Sequence, residues 1–288
     1  MFFRFGRMVR ERLFERVRVH RAPIAVCYVL STDGDPRYCD LAAVSIASLK
    51  RVHPSARVTI LTDDESLAAV RAEGRWPRDG SISVRSVGGF AGSPRVRSRF
   101  VKTQIRSAME GDFLYLDADT VVIGALDKIC RRRAPLAAAV DRNRDDPSGG
   151  FPAWVIPGFQ RLGWPYPTRT YLNNGVVFWR DCVEAHEFGR LWHANWLEYH
   201  ATVDNPADQP AFNHTMNVLG LIPEILDDRF NARVTVSPEY FAGARIIHYY
   251  AHGAERPDVA SLDRLMARTR SRAPLNGWLN SETLGIGA

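Results

Sequence analysis

The sequence predicts an α/β domain built on an open central sheet with helices packed against it. Three observations predict it. Short, continuous apolar runs of strand length recur at Ile24 to Leu30, Val58 to Leu61 and Phe113 to Leu116, the pattern of strands buried on both faces. Segments with helical spacing alternate with these runs, which argues for parallel strands. Acidic residues directly follow two of the runs, in Thr62-Asp63-Asp64 and in Asp117-Ala118-Asp119. Open α/β sheets bind ligands at the carboxyl ends of their strands.

Taken in order, residues 1–21 read as a basic amphipathic helix. Phe2, Phe5, Val9, Leu13 and Val17 fall on one face, and the arginines lie largely elsewhere around it. Such a helix suits an anionic membrane surface, its own domain or a second copy of the chain. Ile24 to Leu30 is the first strand. Leu41 to Val52 is helical, with Leu41, Val44, Ser48 and Leu49 on one side. Val58 to Leu61 is the second strand, and a helix follows from Glu65. Ser98 to Met109 is a third helix, leading into the strand Phe113 to Leu116. Leu136 to Val140 and Val176 to Trp179 add strands. Residues 142–170 mix many prolines and glycines with Trp154, Phe159, Trp164 and Tyr166, which predicts a long functional loop. Gln209 to Val218 is a helix, and Ile246-Ile247 delivers His248 to a strand end. A short helix near Ser261 to Arg270 precedes the tail. The expected division is a terminal helix at 1–21, a main domain at 22–255 and a helical tail at 256–288.

Composition narrows the function classes. With 45% hydrophobic residues, the 288-residue chain has material for a substantial core. No apolar run is long enough to span a bilayer, and no secretory signal is recognisable. The four cysteines, Cys27, Cys39, Cys130 and Cys182, form no CxxC pattern, so neither a disulfide framework nor a zinc site is expected. These features predict a cytoplasmic protein, with residues 1–21 as the element for peripheral contact with the inner membrane face. The net charge of +6 favours anionic partners. Nucleic acid is not expected, because the basic excess is partly terminal and no recognition motif accompanies it.

Four short segments carry chemistry. In Phe113-Leu-Tyr-Leu-Asp117-Ala118-Asp119, two carboxylates one residue apart end an apolar strand. They repel unless a cation lies between them, and Mn2+ or Mg2+ suits oxygen ligands and diphosphate alike. Asn173-Asn174-Gly175 precedes an apolar run. Its amides can serve sugar hydroxyls, its glycine allows close approach, and an Asn-Gly turn is the plainer reading. Asp208-Gln209 opens a helix, where Asp208 can act as an N-cap, contact a ligand, or both. His248 is a side chain compatible with Mn2+ beside two carboxylates, and also with simple packing.

In this order the segments resemble the retaining nucleotide-sugar glycosyltransferases of family 8, the group that includes glycogenin and bacterial lipopolysaccharide galactosyl- and glucosyltransferases, or a close bacterial relative. The resemblance covers about residues 24–253. It also rests on Val26 to Thr32, on Ser45-Ile-Ala-Ser48-Leu49 and on Ala137 to Asp141. It implies the GT-A fold, an open mixed central sheet flanked by helices, and a UDP-sugar donor. It implies that Asp117, Asp119 and His248 are metal ligands, with Asp117 also near the ribose. Ser31 and Thr32 would line the nucleoside pocket. Arg99 or Lys102 would face the diphosphate or donor sugar. Asp141, Asn173, Asn174, Gly175, Asp208 and Gln209 would sit around the donor sugar, with Asp208, Gln209 and Lys102 as the catalytic group. One departure stands out. Family members often follow the histidine with glycine and Lys-Pro-Trp, whereas here Tyr249-Tyr250-Ala251-His252-Gly253 follows and Arg256 is the cation downstream.

The expected activity is transfer of a hexose to a hydroxyl of a glycan, lipid-linked or protein acceptor, with retention, by a chain that can self-associate. Residues 151–166 are the expected acceptor contact. A sugar-phosphate nucleotidyltransferase is the nearest alternative, but Ser31-Thr32-Asp33-Gly34-Asp35 is acidic where that class carries a basic glycine-rich loop. A non-catalytic nucleotide-sugar-binding module is the other.

Overall fold

The computed structural model describes residues 23–74, 76, 80–141, 150–167, 170–233 and 243–249. The expectations for residues 1–21, for Arg256 and for the tail at 256–288 lie outside the described residues.

Seven strands form the central sheet: β1 (Ala25–Val29), β2 (Arg57–Thr62), β3 (Ile82–Ser86), β4 (Phe113–Leu116), β6 (Leu136–Val140), β7 (Leu172–Trp179) and β8 (Glu224–Leu226), in the order β3-β2-β1-β4-β7-β6-β8. A second sheet of three short strands pairs β5 (Thr120–Val122), β10 (Ile246–His248) and β9 (Ala232–Arg233) in the order β5-β10-β9. The central sheet is mixed, as the resemblance implies. β1 is parallel to β2 and β4, but β7 runs antiparallel to both β4 and β6. Strand-length apolar runs specify burial and leave direction open.

The alternation of strand side chains builds a core on each face. Val26 and Tyr28 of β1 and Leu114 and Leu116 of β4 pack beneath α1 (Pro36–Val52), against Ala42, Ile46 and Leu49. Cys27, Val29, Phe113 and Tyr115 face the other way, toward Phe188, Trp192 and Trp196 of α6 (Val183–Val203) and Phe212 of α7 (Gln209–Val218). Each large apolar side chain taken fully out of water there contributes about 1.5–3 kcal/mol.

Several elements differ from the sequence reading. Helix α1 starts at Pro36 because the Asp35 carboxylate accepts from the Arg37 N–H and proline suits the first helical position. The helix from Glu65 is the short α2 (Leu67–Ala72). The expected helix 98–109 is two, α3 (Pro94–Lys102) and α4 (Ile105–Ala108), and α3 begins early behind the Ser93 cap. Edge strand β3 was not expected, since only alternate residues of it are half-buried. Residues 151–166 are not wholly loop: a 3-10 turn at Ala153–Val155 leads into α5 (Ile156–Leu162), which ends on Gly163 at φ 64°. Val155, Phe159 and Tyr171 form a small core there.

The second sheet makes the site. After β4 the chain turns through Asp117-Ala118-Asp119, with the Thr120 N–H donating to the Asp117 carbonyl, and enters β5. β10 lies antiparallel to β5 with His248 opposite Thr120. The Tyr249 N–H donates to the Asp119 carbonyl. Two buried serines of α1 hold this sheet in place. Ser45 Oγ is 3.0 Å from both Tyr28 Oη and Thr120 Oγ1, and Ser48 Oγ accepts from the Val122 N–H at 2.8 Å.

Candidate active site and metal centre

A cleft of about 730 Å³ opens at the carboxyl ends of β1 and β4. Its walls include Ser31, Arg99, Lys102, Asp117, Asp119, Trp154, Asn173, Asn174, Asp208, Gln209 and His248. The volume falls within the range of small-molecule sites.

Asp117, Asp119 and His248 converge there. Their ligand atoms all lie within 4.8 Å of one another. His248 Nε2 is 3.3 Å from Asp119 Oδ1 and 3.8 Å from Asp117 Oδ2. Two carboxylate oxygens and an imidazole nitrogen are a fitting donor set for Mn2+ or Mg2+. The backbone leaves room for it at one point. A Cβ on Gly175 would lie 2.3 Å from His248 Cε1 and 2.6 Å from Asp117 Oδ2. Gly175 is therefore required by close approach, inside a buried strand and not in the Asn-Gly turn allowed by the sequence.

The two oxygens of Asp117 have different duties. Oδ1 accepts from Tyr115 Oη at 2.5 Å and from Lys102 Nζ at 3.0 Å, while Oδ2 faces the histidine and takes a longer bond from the same Lys102 Nζ at 3.3 Å. Burial pushes the Asp117 pKa up. The Lys102 ammonium, with Arg99 and His248, outweighs burial and the neighbouring Asp119 charge, and the net direction is down. Asp117 is thereby held as a carboxylate.

Lys102 joins this centre to a second one. Its buried Nζ is also 3.3 Å from Asp208 Oδ2 and 3.3 Å from Asn174 Oδ1. Asp208 in turn takes the Arg99 Nε at 3.0 Å and Asn174 Nδ2 at 2.5 Å. Asp208 precedes α7, yet its side chain makes no capping bond. The cap reading is thus replaced by a carboxylate held in the cleft by two cations and an amide. Desolvation pushes Arg99 down, but Asp208 first and then Asp117 raise its pKa overall.

The third cluster lies behind Asn173. Gln209 Nε2 donates to Asp141 Oδ2 at 2.8 Å, Asn173 Nδ2 donates to Asp141 Oδ1 at 3.1 Å, and Arg233 pairs with Asp141. Successive strand residues face opposite ways, so Asn173 and Asn174 serve different clusters.

On the nucleoside side, Ser31 reaches the cleft. Thr32 lies buried in a network that the sequence reading did not single out. Its N–H donates to Ser66 Oγ at 2.8 Å, and its carbonyl accepts from Arg97 Nη2 at 2.9 Å. Arg97 Nε also donates to Asp63 Oδ1 at 3.1 Å. Tyr115, Asn231 and Arg233 were missed as well. Each is a single polar residue in or beside an apolar strand, where local sequence gives no signal of a partner.

No protein-family model matches the chain, and no curated protein matches it. Solved structures do. The galactosyltransferase LgtC, in complex with donor and acceptor sugar analogs, aligns at a TM-score of 0.57 and 17% identity over 85% of this chain and 96% of that one. The bifunctional glycosyltransferase WbbM aligns at 0.56 and 13% identity, over 90% of this chain and 51% of that one. The glycosyltransferase GlyE of Streptococcus pneumoniae aligns at 0.53 and 18% identity, over 91% and 65%. The architecture these proteins share with the chain is the GT-A glycosyltransferase fold, as the resemblance to family 8 implies. Among the described residues, no helix is long and apolar enough to cross a membrane.

Proposed function

We propose that the chain is a metal-dependent glycosyltransferase that moves a hexose from a nucleotide-diphosphate sugar, UDP-linked by the family default, to a hydroxyl acceptor with retention. One observation carries this reading. Asp117, Asp119 and His248 gather on the same cleft that holds Asp208, Gln209 and Asn174.

Bound there, Mn2+ or Mg2+ would supply Lewis-acid neutralisation of the diphosphate. The chain's own residues do the rest. Asp117, Asp119 and His248 would hold the ion. Arg99 meets the negative charge that grows on the departing phosphate oxygen as the anomeric carbon–oxygen bond breaks. Asp208 and Gln209 place a carboxylate and an amide beside the carbocation-like carbon. The acceptor hydroxyl attacks from the face of departure, and its proton passes to the leaving phosphate oxygen. Lys102 is too enclosed, at 1% exposure, to clamp a ligand freely. Its bonds to Asp117 and Asp208 support a charge-balancing role between the two centres.

Trp154 supports residues 151–166 as the acceptor contact. It is 51% exposed and lines the cleft with Asp208 and Gln209. The plain test is a transfer and donor-hydrolysis assay of wild type and Asp119→Ala, with Mn2+ or EDTA. Loss of turnover in EDTA and in the variant is expected. Full activity of Asp119→Ala in EDTA would falsify the metal scheme.

A further inference from the structure

The His248 ring has two nitrogens, and only one faces the carboxylates. The other, Nδ1, lies 2.8 Å from Asn231 Oδ1. Imidazole and amide orientations are ordinarily ambiguous, but here both ends of the chain of bonds are fixed. The Gly175 backbone N–H donates to Asn173 Oδ1 at 2.9 Å. A backbone N–H can only donate, so the atom facing it is the oxygen. Asn173 Nδ2 meets Asp141 Oδ1, which can only accept when ionised. Asn231 approaches the same Asn173 oxygen at 2.9 Å and must present its NH2 there. Its own oxygen therefore turns to His248, and that oxygen can only accept. Nδ1 must carry a hydrogen.

We infer that Asn231 is a positioning residue, which fixes the Nδ1–H form of His248 and so aims a lone pair from Nε2 at the cation held with Asp117 and Asp119. The inference rests on the reading of these three residues as a metal site. With Nδ1 committed to Asn231, Nε2 is the nitrogen that faces Asp119 and Asp117 and the one that can offer a lone pair to a cation there. Metal-bound histidines use such a partner on their other nitrogen to set ring orientation. The folding of the second sheet supplies it here. Asn231 ends the 3-10 turn Asp228–Phe230 and leads into β9, which runs beside β10 with Arg233 opposite His248. Asn231, Asn173 and His248 are all buried, at 5%, 2% and 1% exposure, so no bulk water competes for these bonds.

The test uses the full chain with 15N-labelled histidine. Long-range proton–nitrogen correlation in metal-free protein, taken at a pH where the ring is neutral, reads the His248 tautomer, with His248→Gln assigning its signal among the eight histidines. Wild type is expected in the Nδ1–H form. Asn231→Ala should lose that preference and bind Mn2+ about 10- to 100-fold more weakly. Asn231→Asp keeps an acceptor for Nδ1–H and should retain the tautomer, although its second oxygen cannot donate to Asn173 Oδ1. An Nε2–H tautomer in wild type overturns the inference, and needs no variant to fold. So does an Asn231→Ala protein with wild-type tautomer and wild-type Mn2+ affinity. A wild type in the Nδ1–H form that binds no Mn2+ instead overturns the metal reading, and the two failures are told apart.

Discussion

Replacing Gly175 with alanine should damage cation binding more than folding. The added methyl would stand 2.3 Å from His248 Cε1, 2.6 Å from Asp117 Oδ2 and 3.1 Å from Asn173 Oδ1, where ordinary contact begins at 3.4 Å. His248 must therefore retreat by about 1 Å, or β7 must shift, whereas metal–ligand distances tolerate only about 0.2 Å. Asp117 has little freedom to yield, since Tyr115 holds its other oxygen and Lys102 bonds both. His248 lies in β10 between β5 and β9. A misplacement of about 1 Å is of the size that costs roughly 100-fold in a positioned site. Overpacking of a close core costs about 1–3 kcal/mol in folding. Mn2+ titration by calorimetry, paired with urea denaturation of the metal-free protein, separates the two effects. The expected result is a folded protein whose Mn2+ affinity falls by one to two orders of magnitude. Wild-type affinity in Gly175→Ala would refute the argument that these atoms crowd one ion.

Other perturbations test the surrounding groups. Lys102→Met leaves Asp117 and Asp208 without their shared cation, and removing one partner of a buried pair costs about 3–5 kcal/mol, the lower end applying to the partly exposed Asp117; urea denaturation at neutral pH measures it. His214 stacks on Trp164 with ring centroids 3.8 Å apart, and burial lowers its pKa to about 4. The unfolded chain takes up that proton first, so stability should decline as the pH falls from about 6.5 toward 4 and level off below, and His214→Gln should flatten this part of a Tm-versus-pH curve. Trp154→Ala should raise the KM for the acceptor and leave donor hydrolysis unchanged, as steady-state assays of the two reactions would show.

Much of this arrangement was legible in the residues. The apolar run Phe113–Leu116 and the carboxylates after it point to a buried strand with a cleft at its end, because strand burial and acidic placement are both local properties. Helix α7 was found at Gln209–Val218 because its spacing is regular. What escaped were features fixed by distant pairing. Nothing local shows that β7 runs against β4, or that β5 leaves the main sheet to meet β10. The 21-residue helix α6 was not read at all. Its buried Phe188, Trp192 and Trp196 are spread among histidines and acidic residues. Asn231 and Tyr115 acquire their roles only when the second sheet and β4 bring them to His248 and Asp117. Asp208 reads in the sequence as a helix cap, a ligand contact or both, and the cations of α3 with the Asn174 amide hold its carboxylate in the cleft.

The central claim is that two carboxylates and one imidazole grip a cation that in turn grips a diphosphate. The most direct measurement is the thermal shift of the intact chain with UDP and UDP-sugars, in Mn2+ and in EDTA. Ligand at 100 times its Kd adds about 2.7 kcal/mol to folding, a clear rise in Tm. The account predicts that rise in Mn2+ alone, and its disappearance in Asp119→Ala. An equal rise in EDTA, or in Asp119→Ala, would contradict it.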